Sequence, residues 1–283
     1  MIISLLGCGT QDVIQTIKHP YLPVYLAISD IRQRYRRSTL GPFWITISTS
    51  VMVACIGLIF GKLFESPLYE FLPFIASGLI LWGFISSCVT DACTTFVNAE
   101  AIIRQLPLPL SVHVIRMITR NFYIFLHNLI IIPFVLLIVQ RGVGLNCLYL
   151  LPGLALLLLN LIWLALLLAI VCARFRDITQ IVVSVLQIAF YVTPIIWMPK
   201  LLEGRSRFFI LETNPVYHLM EIVRAPIMNY SPSLINWGVS FLLAFLGWSI
   251  TLVIFNHYKR KVAYWLEINL VMRRPCHKYI LKM

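Results

Sequence analysis

Arg32, Arg34, Arg36 and Arg37 stand within six positions of one another in the segment VYLAISDIRQRYRRSTLGPFW, residues 24–44. A guanidinium presents a planar fork of donors that matches a phosphate, so four of them together can bind lipid phosphates or an acidic partner. Val24, Ile28, Ile31 and Tyr35 recur at four, three and four, which on a helix makes one apolar face beneath the cations. Such a helix is expected to lie on a membrane surface, its apolar face sunk to the acyl boundary. The plainer alternative is a positively charged anchor ahead of a membrane span. Gly41 and Pro42 should end the helix, and Trp44 opens a long apolar run.

Further along, polar residues fall on helical stripes inside apolar sequence. His113, Arg116, Arg120, Tyr123 and His127 recur at three, four, three and four. Arg116 can snorkel from the end of a span. His127 and Asn128 lie too deep for that, and polar groups at such depth face a neighbouring helix or a wet cavity, so this face is expected to line a pathway. Asp177, Gln180, Ser184, Gln187 and Tyr191 repeat the same spacing. They form either interhelical hydrogen bonds, about 0.6 kcal/mol each, or a hydrated channel wall. Between apolar runs, residues 98–110 (NAEAIIRQLPLPL) read as a short helix with Glu100 and Arg104 paired four apart, stopped by Pro107 and Pro109. Arg174, Arg176 and Asp177 form a tight charged turn.

Other chemistries are poorly supported. Glu203, Glu212 and Glu221 are too loosely spaced to argue for an acid and base pair. The GKL at 61–63 lacks the length and the Ser or Thr of a phosphate loop, so any ATP must be bound by another chain. Seven cysteines form no CxxC pair and read as packing residues, with no metal site and no disulfide framework. Leu5–Cys8 resembles a lipoprotein cleavage box, but seven preceding residues without Lys or Arg leave no room for a leader.

With 60% hydrophobic and 12% charged residues and a mean hydropathy of +0.87, the chain is expected to be an all-α polytopic membrane protein. Its net charge of +12 gathers beside apolar runs, which reports membrane orientation rather than nucleic-acid binding. Six runs are long enough to cross: 44–63, 72–91, 115–139, 147–172, 178–197 and 234–256. Alternating the loops puts 17 of the 23 Lys and Arg on one side and 6 on the other, so both termini should be cytoplasmic. The expected organisation is a cytoplasmic segment with the amphipathic helix (1–43), a six-helix membrane domain (44–256) and a basic tail (257–283). Thr46, Ser50, Ala54, Gly57 and Gly61 give the first run a small face for close helix packing. In the longest outer segment, 198–233, Asn214 should cap a helix that starts at Pro215 and rests on or dips into the outer leaflet. Val216, Leu219, Met220, Val223 and Ile227 would form its apolar side, with Glu221 paired to Arg224.

RQRYRRSTLGPFW (32–44), RFRDI (174–178), TPIIW (193–197), NPVYHLMEIVRAPI (214–227) and KRKVAYWL (259–266), in that order, closely resemble the transmembrane subunit of bacterial type-2 ABC exporters of O-antigen, capsule and teichoic-acid polymers. The resemblance runs from about Pro20 to Leu266. It implies a channel in the bacterial cytoplasmic membrane made by two copies of this chain, with two copies of a separate ATPase that hold the ATP and magnesium, so no cofactor is expected here. It makes the arginine helix a gate helix and 98–110 a coupling helix, with Glu100, Arg104, Arg174, Arg176 and Asp177 meeting the ATPase. It pairs the fifth span with the first span of the other copy. The implied cargo is a glycan on undecaprenyl pyrophosphate, its pyrophosphate met by Arg32, Arg34, Arg36 and Arg37. Gln180, Ser184, Gln187, Tyr191, His127 and Trp82 would line the channel, with Phe190 and Trp197 as further aromatic faces. A permease for a small molecule, such as a drug or haem, would share the fold; a lipid-linked glycan-modifying enzyme would need carboxylates or histidines gathered at one leaflet.

Overall fold

A computed structural model describes residues 7–36, 41, 43–142, 144–201 and 208–271, without the side chains of 201, 208 and 267–271. Arg37, Pro42, Glu203 and the basic tail beyond 271 lie outside the described residues. Among the described residues every regular element is helical: α1 (Cys8–Lys18), α2 (Tyr21–Tyr35), α3 (Phe43–Leu63), α4 (Leu68–Asn98), α5 (Glu100–Gln105), α6 (Leu110–Leu129), α7 (Ile131–Ile138), α8 (Leu150–Arg174), α9 (Ile178–Val192), α10 (Pro215–Ile227) and α11 (Leu234–Val271).

α4 is the axis of the bundle. Phe71, Ile75, Ala76 and Ala92 are fully enclosed, and α3, α6, α8, α9 and α10 pack around it. Its contact with α3 depends on the small residues read from the sequence. A Cβ at Gly57 would come within 2.5 Å of the Leu72 side chain, so the GxxxG pair brings two helices together in the way small residues do in lipid. The rest of that small face, Thr46, Ser50 and Ala54, lines an apolar groove with Ile130 and Phe134.

Five segments are long and apolar enough to cross a membrane: Phe43–Leu63, Leu68–Asn98, Leu110–Ile138, Leu145–Arg174 and Leu234–Leu266. The run at 178–197 behaves differently. Its helix stops at Val192 and covers about 22 Å, short of a hydrocarbon core of about 30 Å. Pro194 forces the residue before it out of the helical region, and Thr193 is extended at φ −81, ψ 137. The 115–139 run is also interrupted, between α6 and α7 at Ile130, because Pro133 lacks the N–H that would bond the carbonyl of residue 129. α11, by contrast, continues well past residue 256, spanning about 57 Å with Lys259, Arg260 and Lys261 on its extension.

The segment 12–21, mixed in composition and interrupted by Pro20, contributes most of α1, which is docked on α6 and α11. The Asn256 side-chain oxygen accepts the N–H groups of Gly9 and Thr10 at 2.7 and 2.9 Å, capping α1 from α11. Asp12, fully buried, accepts the N–H groups of Leu110 and Ser111 at 2.9 Å each and pairs with Lys259 at 2.9 Å. One carboxylate therefore caps α6 and fastens it to both chain ends.

α10 begins as expected. Asn214 accepts the N–H groups of Val216 and Tyr217, and Pro215 is the first helical residue. It does not rest on a surface, however. Met220, Ile222 and Val223 are fully enclosed, and the helix is wedged against α4, α8 and α11. Gly153 of α8 makes this possible, since a Cβ there would lie 2.4 Å from the Ile222 carbonyl oxygen.

Candidate functional site

α2 divides its apolar residues between two stripes. Pro23, Ala27 and Ile31 are buried, and the helix packs on α6. Val24 and Ile28 remain 40% exposed, and Tyr21 and Tyr25 more so. Of the apolar face expected to meet the membrane, Val24 and Ile28 are uncovered by protein, while Ile31 joins Pro23 and Ala27 in the stripe that docks the helix. An amphipathic surface still remains, with Tyr21, Val24, Tyr25 and Ile28 uncovered and Arg32, Arg34 and Arg36 exposed.

The docking of α2 is completed by charge. Arg116 of α6 donates from Nε to Asp30 at 2.7 Å and from a terminal nitrogen to the other carboxylate oxygen. Arg120, one turn on, lies 3.8 Å from Asp30 and donates to Asp91 of α4 at 2.8 Å. Asn121 donates to the same Asp91 oxygen at 3.0 Å. The sequence reading of Arg116 as a snorkelling residue missed this chain of charges from α2 through α6 to α4. Asp91 was the available signal, a carboxylate within a helix long enough to cross a membrane, which by its cost demands a partner. His113 and the Nε of Arg120 are enclosed beside this network without hydrogen-bond partners, around a cavity of about 80 Å³.

Next to the network, a cleft of about 470 Å³ opens between α2, α3, α4 and α6, lined by Arg34, Thr49, Ser86, Ser87, Thr90, Asp91, Asn121 and Asn128. A second cleft of about 260 Å³ lies between α4 and α9 and brings together Trp82, Gln187, Tyr191 and Phe190. Ser86 and Thr90 belong to both, so hydroxyls of α4, absent from the sequence expectation, form the ridge between them. Gln180 and Ser184 lie on the exposed face of α9, with the Ser184 hydroxyl donated to the Gln180 carbonyl at 3.0 Å. His127 is elsewhere: it hydrogen-bonds the Tyr123 carbonyl at 2.9 Å and meets the Phe43 ring edge-on at 5.8 Å. Trp197 donates to the Tyr191 carbonyl at 3.1 Å.

At the other charged positions, α5 occupies only 100–105 of the expected 98–110, because Leu106 is extended before Pro107. Glu100 and Arg104 pair as expected, at 3.6 Å. Arg174 lies over the rings of Phe175 and Trp265, 5.1 Å from each centroid. Trp265 belongs to the extension of α11, which also packs on α5, so the turn before α9 and the short helix share one support. Arg176 has its Nε enclosed without a partner, and Asp177 precedes α9 without a side-chain cap. Glu221 is engaged by Arg224 at 2.6 Å. No group of three metal-ligating side chains occurs among the described residues.

Charged and hydroxylated clefts thus lie within a bundle of helices long and apolar enough to cross a membrane. Two Klebsiella pneumoniae proteins called "O-antigen export system permease protein RfbA" are 22% and 23% identical over 86% of this chain and 93% of their own lengths. A Myxococcus xanthus protein with the same name is 23% identical over 72% of this chain and 79% of its own length. The family described as ABC-2 type transporter matches residues 24–228, from the arginine helix through α10, and the chain belongs to that family.

Proposed function

We propose that this protein is the membrane subunit of an exporter that moves polysaccharide linked to undecaprenyl pyrophosphate across the bacterial cytoplasmic membrane. ATP is hydrolysed by a separate subunit. Two copies form the conduit, and two ATPase copies sit beneath them. The observation that carries this reading is the similarity to export permeases over nearly their whole length, joined to an arginine-bearing helix docked by ion pairs at the entry to a polar cleft.

In this reading the chain crosses six times, with α9 and the buried turn after it as the fifth crossing, and both termini are cytoplasmic. α2 is the gate helix. Its exposed tyrosines and aliphatic side chains lie in the headgroup region while Arg32, Arg34, Arg36 and Arg37 meet the pyrophosphate. The sugar chain then follows the α4 hydroxyls and the Trp82, Gln187 and Tyr191 wall, with Gln180 and Ser184 towards the inner end. Glu100, Arg104, Arg174, Arg176 and Asp177 receive the ATPase. Closure of the ATPase pair presses on α5 and on the turn before α9, both of which contact α11.

The test is a charge-reversal series at Arg32, Arg34, Arg36 and Arg37. Loss of surface polymer with a normally assembled complex is expected, and unchanged surface polymer contradicts the assignment.

A further inference from the structure

α9 is a helix with no buried residue of its own, yet the turn that ends it is held on every side. Thr193 and Ile195 are fully enclosed. A Cβ on Gly78 of α4 would lie 3.1 Å from the Ile195 carbonyl oxygen, so the turn is seated directly on the central helix. From α10, Asn214 donates to the Thr193 hydroxyl at 2.9 Å, and Arg224 donates to the Pro194 carbonyl at 2.6 Å.

Arg224 is 1% exposed and is the largest fully buried side chain among the described residues. Its Nε and one terminal nitrogen are neutralised by Glu221 at 3.0 and 2.6 Å. Its flat face covers the Phe74 ring of α4 at 4.3 Å. The remaining terminal nitrogen goes to Pro194, so every side of the guanidinium has a partner, which a charge in this setting requires. The opposite end of α9 differs. There the Nε of Arg176 is enclosed without a partner, and Asp177 supplies no cap.

We infer that Arg224 is a positioning residue that pins the α10 end of α9 at Thr193–Pro194, so that α9 pivots there and swings at its Asp177 end. This rests on the proposed role of α9 as a moving wall of the conduit. A proline carbonyl is a suitable pivot point. The residue cannot rejoin a helix through its own nitrogen, and the bond that holds its oxygen comes from outside α9 and survives a change in tilt.

The test uses the full chain with its ATPase partner in lipid nanodiscs, read by amide hydrogen exchange. Glu221→Gln keeps the Arg224 bond to Pro194, whereas Arg224→Gln with Glu221→Gln removes it without stranding a buried carboxylate. Expected in the double variant is at least tenfold faster exchange at residues 191–196, with α4 within twofold of the native rate. Glu221→Gln alone should leave 191–196 within twofold. Unchanged exchange at 191–196 in the double variant overturns the assignment, as does an equal rise throughout α4, which would make Arg224 a general scaffold residue. Polymer export separates this from the underlying reading. A tenfold rise at 191–196 with undiminished export upholds the pin and sinks the role of α9 in the conduit.

Discussion

Arg116 grips Asp30 with two charge-assisted hydrogen bonds, joining the arginine-bearing α2 to the third apolar segment across 86 positions of sequence. Both side chains are about one-fifth exposed, so the pair is neither screened like a surface contact nor stranded like a deep one. Hydrogen bonds to charged groups are each worth about 1.5–3 kcal/mol. That is enough to set whether α2 is docked or free.

Asp30→Asn should therefore lower the docking equilibrium constant of α2 by about tenfold to a hundredfold. The exchange rates of amides 24–35 would report it. The exchanged pair, Asp30→Arg with Arg116→Asp, should recover part of the loss. No recovery would mean that Arg116 acts through Arg120 and Asp91 rather than through Asp30.

Asp12→Ala removes the cap of α6 and the partner of Lys259 together. A destabilisation of about 2 kcal/mol is expected, seen as a lower Tm of the detergent-solubilised chain. Equal melting of Asp12→Ala and native protein would contradict the docking of α1.

Gly153→Ala puts a methyl group 2.4 Å from the Ile222 carbonyl oxygen, a clash with backbone that cannot rotate away. α10 must move, and a sharp fall in monodisperse yield is expected. Gly83→Ala meets nothing within 4 Å and should leave the yield unchanged.

Asn214→Ala loses both the α10 cap and the bond to Thr193. The cap alone is worth about 1 kcal/mol. Asn214→Ser, which can still cap but reaches less far, should be intermediate in thermal stability, and equal effects from the two substitutions would show that only the link to Thr193 matters.

The fold was legible where local chemistry decides it. Apolar length located five membrane helices, Gly57 announced the close contact of α3 with α4, and Asn214–Pro215 marked the start of α10. Pro194 was visible too, and it ends α9 because the preceding residue is driven out of the helix. What pattern could not supply was pairing between distant segments. Nothing near Asp12 says that its carboxylate will cap a helix almost a hundred residues away, and the partners of Arg116 and Arg120, Asp30 and Asp91, lie on other helices. The depth of α10 was hidden because its amphipathic spacing also fits a surface helix, and only Gly153 on another element lets it sink into the bundle. Of the two polar residues read as deep in the third run, His127 meets Phe43 of the neighbouring α3 and bonds the carbonyl of Tyr123, one turn back, while Asn128 lines the larger cleft.

The most direct measurement is the cellular location of finished polymer when this chain is removed and then restored. Lipid-linked polysaccharide of full length should accumulate inside cells lacking the protein and reappear at the surface on re-expression together with its ATPase. Polymer still reaching the surface without the protein, or absent from both compartments, would contradict the account.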